Sequence, residues 1–352
     1  MKNFILKSVM ITLVLGLIAM SGFAKGKYDK VELLGSGATF PLPVYQKMFN
    51  EYNKLTGARV NYQGIGSGGG IKQITEKTVD FGATDAFLSD DELKKVGSDI
   101  VHIPVCLGAV VLSYNVPGNP KLKLTPEIIS EIFLGKITKW NDAKIGKENP
   151  NAKLTDLAIS VISRSDGSGT TFVFTDYLSK ASNEWNTKVG TGKSVTWPVG
   201  ISGKGNPGVA GLISQISGSI GYIELIYAVQ NKMSYADVKN NSGNYITPSL
   251  ESTSKAAQID IPADTRVSIT DTDAKEGYPI SSLTWIILYK EQKYNNKKEL
   301  NAQVLVDLLW WMTHEGQSIA TSLDYAVLPK SAVEKTEALL KSITYNKMAV
   351  KK

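Results

Sequence analysis

Between residues 31 and 86 short apolar runs alternate with stripes of helical period. "KVELLGSG" reads as a strand that ends in a glycine turn. The following "PVYQKMFNEYNKLTG" sets Val44, Tyr45, Met48, Phe49, Tyr52 and Leu55 at helical spacing, with Gly57 as the stop. "ARVNYQ" predicts a second strand, "GIKQITEKT" a short helix and "VDFGATD" a third strand. Strands separated by helices in this way predict a parallel α/β sheet. Two later stretches, "DIVHIPVCLGAVVLSYN" and "YPISSLTWIILYK", are long and almost wholly apolar, as buried strands are. They bracket the middle of the chain. If both cross between lobes, residues 105–280 form one lobe, and residues 25–104 together with 281–352 form the other. The helix-rich tail, with "AQVLVDLLWWMTHEG", then returns to the first lobe. A single large sheet is the other arrangement this pattern permits. From about Lys239 to Glu276 the chain is polar and richest in loops.

The first residues follow a different pattern. Lys2 and Lys7 precede or flank the apolar run "VMITLVLGLIAM", which ends in "SGFA" with Gly22 and Ala24 at a small-x-small site. The run is shorter than the ~20 residues that a bilayer span requires. Residues 1–24 are therefore expected to be a cleaved secretory signal; an uncleaved anchor is the alternative. Without them about 328 of the 352 residues remain, enough for two domains of ordinary size. A hydrophobic content of 42% with 20% charged residues describes a soluble globular protein. Cys106 is the only cysteine and lies within "HIPVCLGAVVL", which predicts a core thiol and excludes an internal disulfide. The formal charge of +6 falls to about +4 without Lys2 and Lys7. The remaining lysines form no basic stripe with interleaved aromatics, so no nucleic-acid partner is expected. The positive balance would help attract a small anion.

Three glycine-rich segments stand before helical patterns: "GSGATFP", "GIGSGGG" and "SRSDGSGTTF". The first amides of a helix are unpaired and carry partial positive charge, glycine lets a ligand approach the backbone, and Ser or Thr adds a hydroxyl donor. Each segment alone could be an ordinary capped turn; three together suggest an anion site. In the third, the Arg164 guanidinium could grip two oxygens of a tetrahedral anion, with Asp166 close enough to orient it. "GIGSGGG" also fits G-x-G-x-x-G, with Asp85 not far from the offset of a ribose-binding acid, so a dinucleotide is a competing reading. "GTGKS" at 190–194 resembles a P-loop ending but has Thr187 where that motif needs glycine. His102 and His314 are the only histidines; there is no H-E-x-x-H, no Cys/His cluster and no G-x-S-x-G elbow. No metal and no cofactor are expected.

"GSGATFPLPVY", "NYQGIGSGGGIKQI", "VDFGATDA", "LGKITKWND" and "RSDGSGTTFVFTDYL", continued by "GKGNPGVAGLI", "GSIGYIEL" and "LDYAVLP", resemble in order the phosphate-binding protein of the phosphate-specific ABC transporter. The resemblance covers nearly the whole mature chain. It implies a two-lobed α/β periplasmic binding protein (type II) with a hinge of crossing strands. It also implies an exported, non-enzymatic monomer that captures inorganic phosphate between its lobes and delivers it to the membrane permease subunits of an ABC importer. Carried over by motif, the anion ligands fall on Thr39 and Phe40, on Ser67, on Asp85, and on Arg164, Ser168, Gly169 and Thr170, with Asp166 bracing the arginine. Phe87 stands where the family has proline, a departure in the loop beyond Asp85. The chain lacks the N-terminal cysteine through which some relatives are lipid-anchored. A receptor for another tetrahedral oxyanion, an exported phosphatase-like enzyme and an NAD-dependent oxidoreductase are the rival readings. Ionised Asp85 can accept a hydrogen bond but not donate one, so it would favour an anion that carries a proton.

Overall fold

The computed structural model describes residues 26–350; the expected signal segment lies outside them. Among the described residues nine strands form one curled sheet: β1 (Glu32–Gly37), β2 (Arg59–Gly64), β3 (Phe81–Thr84), β4 (Ile100–Tyr114), β5 (Ser160–Arg164), β6 (Ile201–Gly203), β7 (Ser219–Glu224), β8 (Ser234–Tyr235) and β9 (Ser281–Tyr289). Their order is β2-β1-β3-β9-β4-β7-β5-β6, with β8 also paired to β4. The expectation of a parallel sheet holds only at the two ends. β2, β1 and β3 are mutually parallel, as are β7, β5 and β6, but β9 and β4 run antiparallel to their neighbours. The two long apolar runs lie in the middle of the sheet, which their sequence could not place.

β4 is shared by both halves. Its residues Ile100–Ala109 pair with β9, and Val110–Tyr114 pair with β7. All fifteen of its residues and all nine of β9 are buried, which explains their near-continuous apolar sequences. Pro104 cannot donate a ladder bond, and the β9–β4 register shifts there, between Thr284 and Trp285. The displaced Val105 carbonyl instead accepts from Gln317 Nε2 at 2.8 Å.

Helices cover the sheet. In α1 (Leu42–Thr56) the predicted stripe Val44, Tyr45, Met48, Phe49 and Tyr52 is buried, and Gly57 closes the helix at φ 82°. Leu55, in the last turn of the stripe, reaches past its neighbours and stays exposed. α2 (Ser67–Thr75), α3 (Asp90–Val96), α4 (Gly169–Ala181) and α5 (Gly205–Gln215) follow. α6 (Glu299–Thr313) and α7 (Lys330–Lys341) bring the tail back against β4. Part of the polar loop region crosses the molecule. Ile261 and Ile269 pack with Trp285 and Ile287, and Arg266 Nη1 donates to the Leu88 carbonyl at 2.8 Å. The nearby Ser268 hydroxyl donates to Asp176 on α4 at 2.6 Å.

Candidate anion site

Each glycine-rich segment opens a helix, and the three helix starts converge. Thr39 and Phe40 precede α1, Gly66 caps α2, and Ser168 caps α4 by accepting the Thr171 N–H at 3.0 Å. Two glycines are required by this convergence. Gly66 has φ 88°, and a Cβ there would lie 2.2 Å from Asp166 Oδ2. A Cβ on Gly169 would lie 2.4 Å from Asp85 Oδ2 and 2.5 Å from Ser67 Oγ. A main-chain hydrogen bond, Gly68 N–H to the Gly167 carbonyl at 2.8 Å, joins the α2 start to the loop before α4.

All the predicted positions meet here and are buried: Thr39, Phe40, Ser67, Asp85, Arg164, Ser168, Gly169 and Thr170. Among the described residues the N–H groups of Phe40, Ser67, Gly169 and Thr170 donate to no protein acceptor. Ser67 Oγ accepts the Asp85 N–H at 3.3 Å, which leaves its hydrogen available. The Phe40 and Thr39 carbonyls are occupied by the hydroxyls of Tyr325 and Tyr227, both at 2.6 Å. What faces inward is a ring of donors, as an oxyanion requires.

Among the described residues Arg164 is the one buried cation of the cluster. Asp166 Oδ1 accepts from Nε at 2.8 Å and Oδ2 from Nη2 at 2.6 Å, while Nη1 turns toward Thr170 Oγ1 at 3.3 Å. This two-point brace fixes the plane of the fork. Burial acts to raise the Asp166 pKa, but its bonds and charge attraction to Arg164 and the Gly205 N–H prevail and lower it.

Asp85 is in the opposite condition. Burial pushes its pKa up to about 7 from an ordinary 3.8, against the opposing pull of a Thr284 hydrogen bond and the Arg164 charge. Buried in this way, the carboxyl keeps its proton to a higher pH than a hydrated carboxylate does. Ionisation therefore adds nothing to the cost of closing over the carboxyl below about pH 4, and adds progressively more between about pH 4 and 7, levelling above.

Sequence reasoning missed Thr284 and Asn206. Thr284 Oγ1, beside the register shift in β9, donates to Asp85 Oδ1 at 2.8 Å across 199 residues of sequence. Asn206, at the start of α5 and fully buried, donates from its backbone N to Thr39 Oγ1 at 3.0 Å. Its Nδ2 donates to Thr39 Oγ1 at 3.1 Å and to Thr170 Oγ1 at 3.0 Å. The only sequence signal was glycine-flanked "GKGNPG" before a helical pattern, a fourth segment of the type already singled out.

Phe87 and the P-loop-like segment also acquire structural roles. Phe87 makes edge contacts with Trp285 (5.8 Å between centroids) and with Phe172 on α4 (6.0 Å). The Lys193 carbonyl accepts the Ser168 N–H at 2.8 Å, and Lys193 Nζ pairs with Glu92 on α3 at 2.6 Å. That ion pair is part-exposed and contributes little. An aromatic pair contributes about 0.5–1.5 kcal/mol beyond its burial. Phe87→Ala should therefore speed release of a bound anion about tenfold, and lower Tm through the packing lost on Trp285. An unaltered release rate in stopped flow would show that the contact does not hold the two sides together.

A family model described as "PBP superfamily domain" matches residues 24–313. The phosphate-binding protein PstS of Xylella fastidiosa (strain Temecula1) is 44% identical over 315 residues, 88% of this chain and 84% of its own. PstS of Pasteurella multocida is 43% identical, with 88% and 90% covered. Among solved structures, the phosphate binding protein of Stenotrophomonas maltophilia superposes with a TM-score of 0.68 at 19% identity, covering 88% of this chain and 93% of that one.

Proposed function

We propose that this chain, which belongs to the PBP superfamily and within it to the phosphate-binding protein PstS family, captures inorganic phosphate between its two lobes and hands it to an ABC importer. The fold is the two-lobed α/β fold of periplasmic binding proteins, with β4 continuous through both halves. The observation that carries the proposal is the convergence of three helix starts, one braced guanidinium and one buried carboxyl. A partly protonated tetrahedral anion needs many donors and one acceptor, and this site offers that set.

In this reading Thr39, Ser67, Ser168 and Thr170 give hydroxyls, and Phe40, Ser67, Gly169 and Thr170 give amides. Arg164 gives its fork, and Asp85 accepts the proton that phosphate carries. The lobes are taken as residues 25–104 with 281–352, and residues 105–280. Closure of one on the other would present a surface to the permease subunits. Export to the periplasm through residues 1–24, release as a monomer and the absence of catalysis belong to the same proposal. Among the described residues no helix is long and apolar enough to cross a membrane. Among them, too, no group of three or more His, Cys, Asp or Glu could hold a metal ion.

The rival readings find less support. A Ser-His-Asp hydrolase would need a basic histidine beside a serine. His102 is neutral, its pKa pushed down to about 3 by burial, and its Nε2 accepts the Leu88 N–H at 3.1 Å. A dinucleotide would need an open approach to "GIGSGGG", which here is roofed by Gly167.

Calorimetric titration of anion-stripped protein at neutral pH tests the proposal. Tight one-to-one uptake of phosphate with negligible uptake of sulfate is expected. Silence toward both, or phosphate-ester hydrolysis in a companion assay, would overturn it.

A further inference from the structure

We propose that Asn206 is a positioning residue that turns threonine hydroxyls on opposite sides of the cleft into committed hydrogen-bond donors, so that closure itself prepares the site for an oxyanion. The inference rests on the phosphate reading of the site.

A hydroxyl has one hydrogen and two acceptor positions. Thr39 Oγ1 accepts from both the backbone N and Nδ2 of Asn206. Thr170 Oγ1 accepts from Asn206 Nδ2 and from Arg164 Nη1. Both acceptor positions of each oxygen are thus occupied, and each hydroxyl retains only the ability to donate. Among the described residues neither hydroxyl donates to a protein group.

The amide cannot be turned the other way. Asn206 Oδ1 accepts the Glu224 backbone N–H at 2.9 Å, and that group can only donate. The NH₂ must therefore face the threonines. Thr39 stands at the start of α1 and Thr170 in the first turn of α4, so one NH₂ group holds a hydroxyl from each side of the cleft. Both bonds exist together only when the halves are closed. An open Thr39 would be free to accept and donate alike; the closed one is restricted to donating. That restriction suits an anion and disfavours a neutral ligand with hydrogens to share.

Asn206→Asp is the informative substitution. It keeps the shape and the acceptor for the Glu224 N–H, but gives the threonines an acceptor that draws their hydrogens away from the ligand. Two charge-assisted bonds are affected, so phosphate affinity should fall about a hundredfold or more. Asn206→Ala removes the positioning without reversing it and should cost about tenfold. Thermal melting without anion reports what each substitution costs the fold: alanine strands the Glu224 N–H and leaves a cavity, and aspartate buries a carboxylate. Phosphate is the probe, with wild type and Arg164→Ala measured alongside. Phosphate affinity lost in proportion to the fall in Tm, or an Asn206→Asp variant that binds like wild type while Arg164→Ala does not, would overturn the inference alone. Wild-type protein that takes up no phosphate would overturn the phosphate reading together with it.

Discussion

Asp85→Asn should remove most of the preference for phosphate over sulfate. In an open, hydrated cleft Asp85 would ionise near its ordinary 3.8, whereas burial in the closed form raises it to about 7. Phosphate brings its own proton to the contact. Sulfate brings none, so closure on sulfate must draw a proton from solvent onto Asp85. Each pH unit above the ordinary value costs about 1.4 kcal/mol. At pH 8 this reaches roughly 5.5 kcal/mol, or ~10⁴ in affinity, again by the pKa-to-energy conversion. The same order, ~10⁴–10⁵, is typical of sites that reject an analogue lacking a required hydrogen.

The sign of the pH dependence follows. For wild type, sulfate affinity should fall about tenfold per pH unit as pH rises through this range, because complex formation takes up one proton. A bare dianion beside the carboxyl pushes it further up, so the fall continues past pH 7. In Asp85→Asn, sulfate affinity should be flat and the discrimination largely lost. Titrations of both proteins between pH 5 and 9 check this. A wild-type sulfate affinity independent of pH would remove Asp85 from its role as the proton acceptor.

Arg164→Ala should weaken phosphate binding by about 2–5 kcal/mol, the usual cost of truncating one partner of a buried charge pair. Two losses combine. In the proposed site the anion loses the buried Arg164 charge, and Asp166, held by two bonds to the guanidinium, is left as an uncompensated carboxylate at the same place. Arg164→Lys separates them. An ammonium keeps the charge but cannot bridge both Asp166 oxygens while reaching toward Thr170, so an intermediate loss is expected. Calorimetry on the three proteins, with Tm recorded for each, measures the effect. Undiminished affinity in the alanine variant would exclude Arg164 from the site.

Several parts of this protein are decided locally, and these the sequence alone determined. Glycine and hydroxyl residues before an apolar helical stripe produce open helix starts whatever surrounds them, which is why "GATFP", "GIGSGGG" and "DGSGT" could be read as ligand loops. Arg164 and Asp166 are two residues apart, so their pairing is also local. The buried strands announced themselves through unbroken apolar runs, although their antiparallel place in the middle of the sheet depended on which neighbours they met.

Tertiary structure alone decided how those pieces act. Asn206 reaches Thr39 across 167 residues and Thr284 reaches Asp85 across 199, with no periodicity linking the positions. Phe87, an apparent irregularity in its loop, finds its partners in Trp285 on β9 and Phe172 on α4. The upward pull on Asp85 likewise comes from burial by both halves at once, a property that no single segment carries. Local chemistry supplied the donors and the acceptor; long-range packing fixed their orientation, their protonation and their common focus.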